Sequence, residues 1–442
     1  MSSTEGPPPA AGYGDDPTRG AVPTWGRLAP GTEAVRAAEA TARRSYGKLI
    51  AFLAARTRDV AGAEDALSDA FAAALSDWPR NGVPRTPEAW LLTVARRKMI
   101  DAARRRHLDD ATSEQLQWLA DAMTEDDDGD SALPDRRLGL LFTCAHPSID
   151  RAVRAPLMLQ VVLGFDAATI ASAFLVAPAA MGQRLARAKA KIRQAGIAFE
   201  LPDRGMLRER LEAVLEAIYA AYAEGWTDPQ GVDARRRNLA DEAIWLGRLV
   251  ASLLPGEGEA LGLLSLMLHS HARRDARRSD TGEYVPLARQ NPAHWDTPMI
   301  EEAEALLAQA NALADVPGRY QLEAAVQSAH AVRRLGRESD WAAIERLYEA
   351  LCVLTDSPVT ALNRAVALSH TRGPEAALRA IDALAGDRRL AEYQPYWAAR
   401  ADLLARCGDA TAARHAYVQA VGLERDPAVR HFLQRRADAL MG

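Results

Sequence analysis

After Glu33, apolar residues recur three and four positions apart along most of the chain. This is the period of helices that bury one face, and it predicts an all-α protein. Three or more helices are expected across Glu33–His107, interrupted at Trp78–Pro87, where Pro79, Asn81-Gly82, Pro84 and Pro87 supply helix-breaking and turn chemistry. The helix Glu88–Arg106 begins directly after a proline, as helices often do. A second helical set runs from Arg136 to about Gln194, and from Leu207 to Gly442 one helix follows another. Between the first two sets lies a like-charge run, Glu125-Asp126-Asp127-Asp128-Gly129-Asp130, which repels itself and reads as a linker with room for a short helix near Leu116–Met123. The Pro/Gly/Ser/Thr-rich start buries too little apolar area to offset its ordering entropy and reads as disordered. The resulting divisions are 1–32, 33–107, 108–135, 136–200 and 201–442.

The sharpest local pattern is DAATIASAFLVAPAAMGQRLARAKAKIR, Asp166–Arg193. Ala168–Phe174 forms a short helix, Leu175–Ala177 a turn, and Pro178 opens the next helix where its missing N–H costs least, giving a helix-turn-helix. At about 100° per residue, Met181, Leu185, Ala188 and Ile192 share a narrow stripe that should pack on Ile170 and Phe174. Ala180, Gln183, Arg184, Arg187, Lys191 and Gln194 share another face, which combines phosphate partners with groups that hydrogen-bond base edges. Arg184 and Arg187 are the expected base readers, and Ala180 and Met181 near the helix start join the surface expected at DNA. The plain alternative is an amphipathic helix with a solvated basic face.

The tail repeats itself. Ala365, Leu368, Ala377, Ile381 and Leu384 are echoed 36 residues later by Ala401, Leu404, Ala413, Tyr417 and Ala420, with Trp397 and Gly408 completing a tetratricopeptide-like pattern. Ala331, Ala343, Leu347 and Ala350 form a weaker copy 34 residues before the first set. Stacked helical hairpins would bury a continuous core through their small residues. An irregular helical domain with coincidental alanine spacing is the alternative.

Charge changes the picture more than composition does. The net charge is −5, but residues 33–107 carry +5, 108–135 carry −10, 136–200 carry +6 and the last 242 residues −5. Two basic modules thus flank an acidic tether, the electrostatic footprint of something that neutralises phosphates. Aromatic residues make up only 6% of the chain and hydrophobic ones 48%, which suits Ala/Leu/Arg-rich helical folds. No stretch approaches a membrane span or a signal peptide, so a cytoplasmic address is expected. Cys144, Cys352 and Cys407 form no CxxC pair and read as small buried residues. The phosphate loop, HExxH, GxSxG and dinucleotide fingerprints are absent, so neither enzyme activity nor a cofactor is indicated. His269 and His271 flank Ser270 on different helix faces and read as surface histidines. Cys144 with His146 is a still weaker metal signal.

The string QRLARAKAKIR after AFLVAPAAM resembles region four of the sigma-70 family. Upstream, AEDALSDAFAAAL (Ala63–Leu75) resembles the region-two helix that docks on the clamp of core RNA polymerase, and WLLTVARRKMIDAARRR (Trp90–Arg106) the adjoining helix that contacts and opens the −10 element. All three stand in the family's order without a third domain between them, which resembles the extracytoplasmic-function subgroup. RLGLLFTCAHPSIDRAVRAPLMLQVVLGF (Arg137–Phe165), YAAYAEGW (Tyr219–Trp226) and the repeats resemble members with a long C-terminal extension. The resemblance implies that Glu64, Asp65 and Asp69 face the polymerase clamp, with Leu67 and Phe71 on the inner side of that helix. It implies that Arg96, Arg97, Lys98, Arg104, Arg105 and Arg106 hold the −10 backbone, and that Asn81 and Arg85, in the loop that captures an extruded base, contact DNA. A plain turn remains open for that loop. Arg97 stands where the family often has Asn. The acidic linker would pass near the polymerase cleft, and the repeats would contact the sigma modules, polymerase or another protein. The competing reading is a helix-turn-helix repressor or activator whose repeat domain senses a ligand or peptide.

Overall fold

The computed structural model describes residues 30–107, 135–174, 176–199, 202–226, 234–313 and 316–440. Most of the start expected to be disordered, and nearly all of the acidic stretch expected to be a linker with a short helix, therefore lie outside the described residues. So does Leu175 of the expected turn. Among the described residues the fold is all-α, and its single strand-like feature is an isolated bridge between Arg278 and Tyr284. Two compact units are present: Met1–Leu49 with Gly62–Asp127, and Ile50–Ala61 with Asp128–Gly442.

In the first unit, α1 (Pro30–Thr57, which runs on into the second unit), α2 (Val60–Asn81) and α3 (Pro87–His107) supply the core. Ala63, Ala66, Leu67, Ala70, Ala74 and Trp78 recur at helical spacing along α2 and are all buried, as are Leu91, Leu92, Ala95 and Met99 of α3. The two seams meet at an edge-to-face pair, Trp78 on Trp90, with ring centroids 5.6 Å apart. The Ser45 hydroxyl of α1 donates to Glu88 Oε1 at 3.0 Å, fixing the start of α3. The expected break falls later than the prolines suggest. Pro79 lies inside the last turn of α2, and the chain leaves the helix only at Gly82, whose φ of 86° is left-handed. The Gly82 N–H still bonds to the Trp78 carbonyl at 2.9 Å, so the turn forms around the missing proline donor.

The second unit holds the remaining helices. Helix α4 (Arg137–Cys144) is buried from Leu138 to Cys144, as a helix apolar on every side should be. Helix α5 (Arg151–Leu163) is capped by Asp150, whose carboxylate accepts from the Ala152 N–H at 3.0 Å. It ends at left-handed Gly164. Helices α6 (Ala167–Ala173) and α7 (Pro178–Gln194) follow, then α8 (Arg204–Trp226), α9 (Ala234–Leu253) and α10 (Gly258–His271). Helix α8 packs on α5 and α4, so the unit is continuous across residue 200. Arg151 pairs with Glu216 at 2.7 Å, and Arg210 Nη2 donates to the Phe142 carbonyl at 2.9 Å.

Helix α10 is buried from Ala260 to His269 and packs between α11 (Thr297–Leu313) and α12 (Arg319–Ala331). Its Glu259 carboxylate reaches across to accept the Tyr320 and Gln321 N–H groups at 3.0 and 3.1 Å, capping α12 from outside. A Cβ at Gly318 would stand 2.3 Å from Glu259 Cδ, so this cap requires glycine there. Residues 272–296 interrupt the helices with three short 3-10 turns, contrary to the expectation of uninterrupted helices. This segment is tied to the chain's last helix by an Arg278–Asp426 ion pair and by Tyr284 edge-on to Phe432 at 5.4 Å. His269 is 1% exposed, so it is a core residue rather than the expected surface one. The inward face of a helix apolar all round had room for one ring. His271 Nε2 lies 3.1 Å from Asp241.

The remaining helices are α13 (Trp341–Leu354), α14 (Pro358–Thr371), α15 (Pro374–Asp382), α16 (Arg388–Ala391), α17 (Gln394–Arg406), α18 (Ala410–Leu423) and α19 (Pro427–Asp438). Ala365, Ala377 and Ile381 share one buried cluster, with Leu368 and Leu384 packed against it. Ala401, Leu404, Ala413, Tyr417 and Ala420 share the next. Left-handed glycines, Gly373 and Gly408, turn the chain at the corresponding place in both hairpins. The weaker copy is displaced: Ala331 is buried, but Ala350 is exposed and Leu347 half-buried, and Ile344 and Leu351 take the core positions of α13. Of the cysteines, Cys144 is buried while Cys352 and Cys407 are half-buried.

Candidate nucleic-acid interface

Each basic module presents its own surface. On α2, Asp65, Ser68, Asp69, Ala72, Leu75 and Ser76 form the outward face, opposite the alanine seam. Asp65 and Asp69 are exposed. Glu64 is a correction. It is 8% exposed, sits at the edge of the seam, and acts on Tyr46, whose hydroxyl is pushed to a higher pKa by burial and then by Glu64 and Asp65. Phe71 is half-buried on the same border. Sequence periodicity missed Leu75, which is 47% exposed among the outward acids. Its angular position on α2, beside Ser68, Ala72 and Ser76, puts it outside.

On α3, Arg97 and Lys98 are exposed and Arg96 half-buried. Lys98 Nζ lies 3.4 Å from Asp69, so a residue expected at DNA and one expected at polymerase neutralise each other in the unbound chain. Both are well exposed, and such a pair contributes roughly 0–1 kcal/mol, little enough to be exchanged on binding. Arg85 and Asn81 are exposed at the loop, and the Asn81 amide donates to Asp77 Oδ1 at 2.7 Å. Arg104, Arg105 and Arg106 fall in the final turns of α3, and their side chains lie outside the described residues.

In the second unit, α6 and α7 stand where a helix-turn-helix is expected. Asp166 caps α6, accepting from the Thr169 N–H at 2.8 Å and the Thr169 hydroxyl at 2.7 Å. The turn closes through the Val176 N–H on the Ala171 carbonyl at 2.9 Å, and Pro178 is the first residue of α7. Met181, Leu185, Ala188 and Ile192 are buried, together with Ile170 and Ala171. Phe174 is only half-buried. Gln183, Arg184, Arg187, Lys191 and Gln194 are exposed, with Ala180 half-buried beside them. Met181, expected among the DNA-facing residues as well as in the seam, is 2% exposed, so it supports α7 from beneath. Arg187 Nε donates to the Gln183 carbonyl at 3.3 Å, holding the guanidinium along its own helix.

The basic surface extends further than sequence periodicity indicated. Burial and the charges of Arg210, Arg154 and Lys191 lower the pKa of His146, leaving it neutral near pH 7. Burial and Arg154 lower that of Arg210. Arg154 on α5, Lys191 on α7 and Arg210 on α8 therefore form one cationic cluster assembled from three helices. No local spacing could signal it. Among the described residues no group of His, Cys, Asp or Glu is arranged to hold a metal ion, and no helix is long and apolar enough to cross a membrane.

Residues 41–108, a bundle with an acidic outer face on α2 and a basic one on α3, match sigma-70 region 2. Residues 210–311, from α8 into α11, match a family of unknown function, DUF6596. No solved structure matches the chain. The chain belongs to the same family as "Uncharacterized protein R00370" of Rhizobium meliloti (strain 1021). The two are 39% identical over 387 residues, which cover 86% of this chain and 90% of that protein.

Proposed function

We propose that the chain is a compact, cytoplasmic sigma factor of the extracytoplasmic-function type, which programs core RNA polymerase for −10 and −35 promoter elements and whose tetratricopeptide-like C-terminal helices modulate it. The reading is supported by one chain's joining a match to sigma-70 region 2 with a helix, α7, that exposes Gln183, Arg184, Arg187 and Lys191. The outer face of α2, with Asp65, Asp69 and Leu75, docks on the polymerase clamp, combining charge steering with an apolar contact. Arg96, Arg97, Lys98, Arg104 and Arg105 hold the phosphates of the −10 element while Asn81 and Arg85 meet an extruded base. Phosphate contacts position the protein and base contacts specify the site. Helix α7 enters the major groove at the −35 element, and Arg154 and Arg210 add phosphate contacts at its flank. Strand opening draws on binding of unstacked bases, which offsets a few kcal/mol of unstacking, so nucleotide hydrolysis by the factor is not needed.

The test is reconstitution. Purified full chain added to core RNA polymerase should start transcripts at discrete sites selected from the organism's own genomic fragments. A chain that binds duplex operator DNA by itself and never programs core enzyme would overturn this reading in favour of a repressor.

A further inference from the structure

Just beyond α10, Arg273 is 8% exposed. Its Nη2 donates to Gln327 Oε1 of α12, and its guanidinium stands 5.9 Å from the ring centroid of Trp295. Nη1 makes no hydrogen bond, and among the described residues no carboxylate lies within ion-pair distance of Arg273. Burial lowers its pKa only to about 10, so it is a cation at neutral pH. A buried charge without a counter-charge costs several kcal/mol, and native proteins supply a partner or a ligand.

The surroundings sharpen the point. The electrostatic neighbours of Arg273 are Tyr222, Tyr348, Arg277, Arg333, His269 and His330, with no acid among them; the Tyr222 hydroxyl itself donates to the Met267 carbonyl at 3.1 Å. Arg333 is committed to the Leu287, Ala288 and Gln290 carbonyls at 2.6, 3.3 and 3.1 Å, so it adds charge that no carboxylate cancels there. The nearby acids are engaged elsewhere: Glu323 pairs with Arg319 at 2.8 Å, and Glu304 accepts from Ser328 at 2.8 Å. A set of tyrosine rings lies next to Tyr222. Tyr219 stacks near Tyr222 with centroids 6.4 Å apart and meets Tyr320 edge-on at 5.9 Å, and the buried Tyr320 hydroxyl has no hydrogen-bond partner. Helices α8, α12 and α13 thus bring phenolic groups towards a buried cation just beyond α10, the residue types that line small-molecule sites.

We propose that Arg273 anchors a binding site for a small organic oxyanion, a carboxylate or phosphate group carried on a planar or apolar body, with Tyr348 and His330 beside the anion and the Tyr219 and Tyr320 rings against the body. The bidentate geometry of a guanidinium suits either oxyanion. This inference rests on the second unit alone and stands or falls independently of the promoter reading.

The test is isothermal titration calorimetry on the purified full chain with two probes, benzoate and inorganic phosphate. One of them should bind saturably with one site per chain at roughly millimolar affinity or tighter. Benzoate alone would identify a carboxylate on an aromatic body, and phosphate alone a phosphate-bearing ligand. R273Q should weaken that binding about tenfold or more while the helical circular-dichroism spectrum is unchanged. Y348F, which deletes one hydroxyl and no ring, should weaken it about threefold and serves if R273Q fails to fold. Failure of both probes to bind, or binding by folded R273Q and Y348F equal to that of the unaltered chain, overturns the proposal.

Discussion

Two glycine-to-alanine substitutions, each inside a helix, should move stability in opposite directions. Alanine improves on glycine in a helix interior by roughly 0.5–1 kcal/mol. At Gly182, in α7, a Cβ meets nothing within 4 Å, so Gly182→Ala should deliver that gain. At Gly262, in α10, a Cβ would stand 2.7 Å from the Gln321 backbone nitrogen and 3.0 Å from the Tyr320 carbonyl carbon. That nitrogen is already held by Glu259 at 3.1 Å, so the first turn of α12 retreats only by breaking its own cap. Overpacking of this kind costs about 1–3 kcal/mol, and more when backbone must move. The net for Gly262→Ala is a loss of roughly 1–2 kcal/mol, or about 2–6 °C in the melting of a domain this size. Thermal unfolding followed by far-ultraviolet circular dichroism on the full chain reads both. A Gly262→Ala chain as stable as the unaltered one would refute the close approach of α10 to α12, and a destabilised Gly182→Ala would refute the open environment assigned to α7.

Arg184→Ala and Arg187→Ala should each change −35 sequence preference by roughly 1–3 kcal/mol per lost base contact, measured by competition among promoter variants; uniform weakening over all variants would make them phosphate clamps. A second expectation concerns acid. His269 has a pKa lowered from 6.5 to about 3 by burial and then by Arg273 and Arg334, so the folded chain disfavours its protonation. Its contribution to stability is therefore complete above pH 6.5 and lost as pH falls from 6.5 towards 3, amounting to a few kcal/mol in order of magnitude. The pH dependence of unfolding should flatten across that window in His269→Leu, and an unchanged slope would show that the ring is not kept neutral by burial. Finally, a chain ending at Pro202 loses the Arg210–Phe142 and Arg151–Glu216 contacts that tie α8 to α4 and α5. It should support less promoter-specific transcription than the full chain, and an equal rate would reject any role for the C-terminal helices in that activity.

The sequence by itself determined the helical class, the helices on either side of Pro178 and the paired hairpins, because each is set by a local period and by local punctuation. Met181, Leu185, Ala188 and Ile192 fall on one stripe for the same reason that Gln183, Arg184 and Arg187 fall on another, and Pro178 and Asp166 act within a turn of where they stand. The twin clusters containing Ala365 and Ala401 follow from a repeat visible in the chain. The tertiary structure decided what depends on neighbours distant in sequence. It buried Glu64 and His269, exposed Leu75, and shifted the core of α13 onto Ile344 and Leu351, since a residue's hydrophobicity does not say which element will cover it. It let Glu259 cap a helix about 60 residues away, gathered Arg154, Lys191 and Arg210 around His146, and left Arg273 charged among tyrosines. Electrostatic energy depends on distance through the folded body, and that distance is not written along the chain.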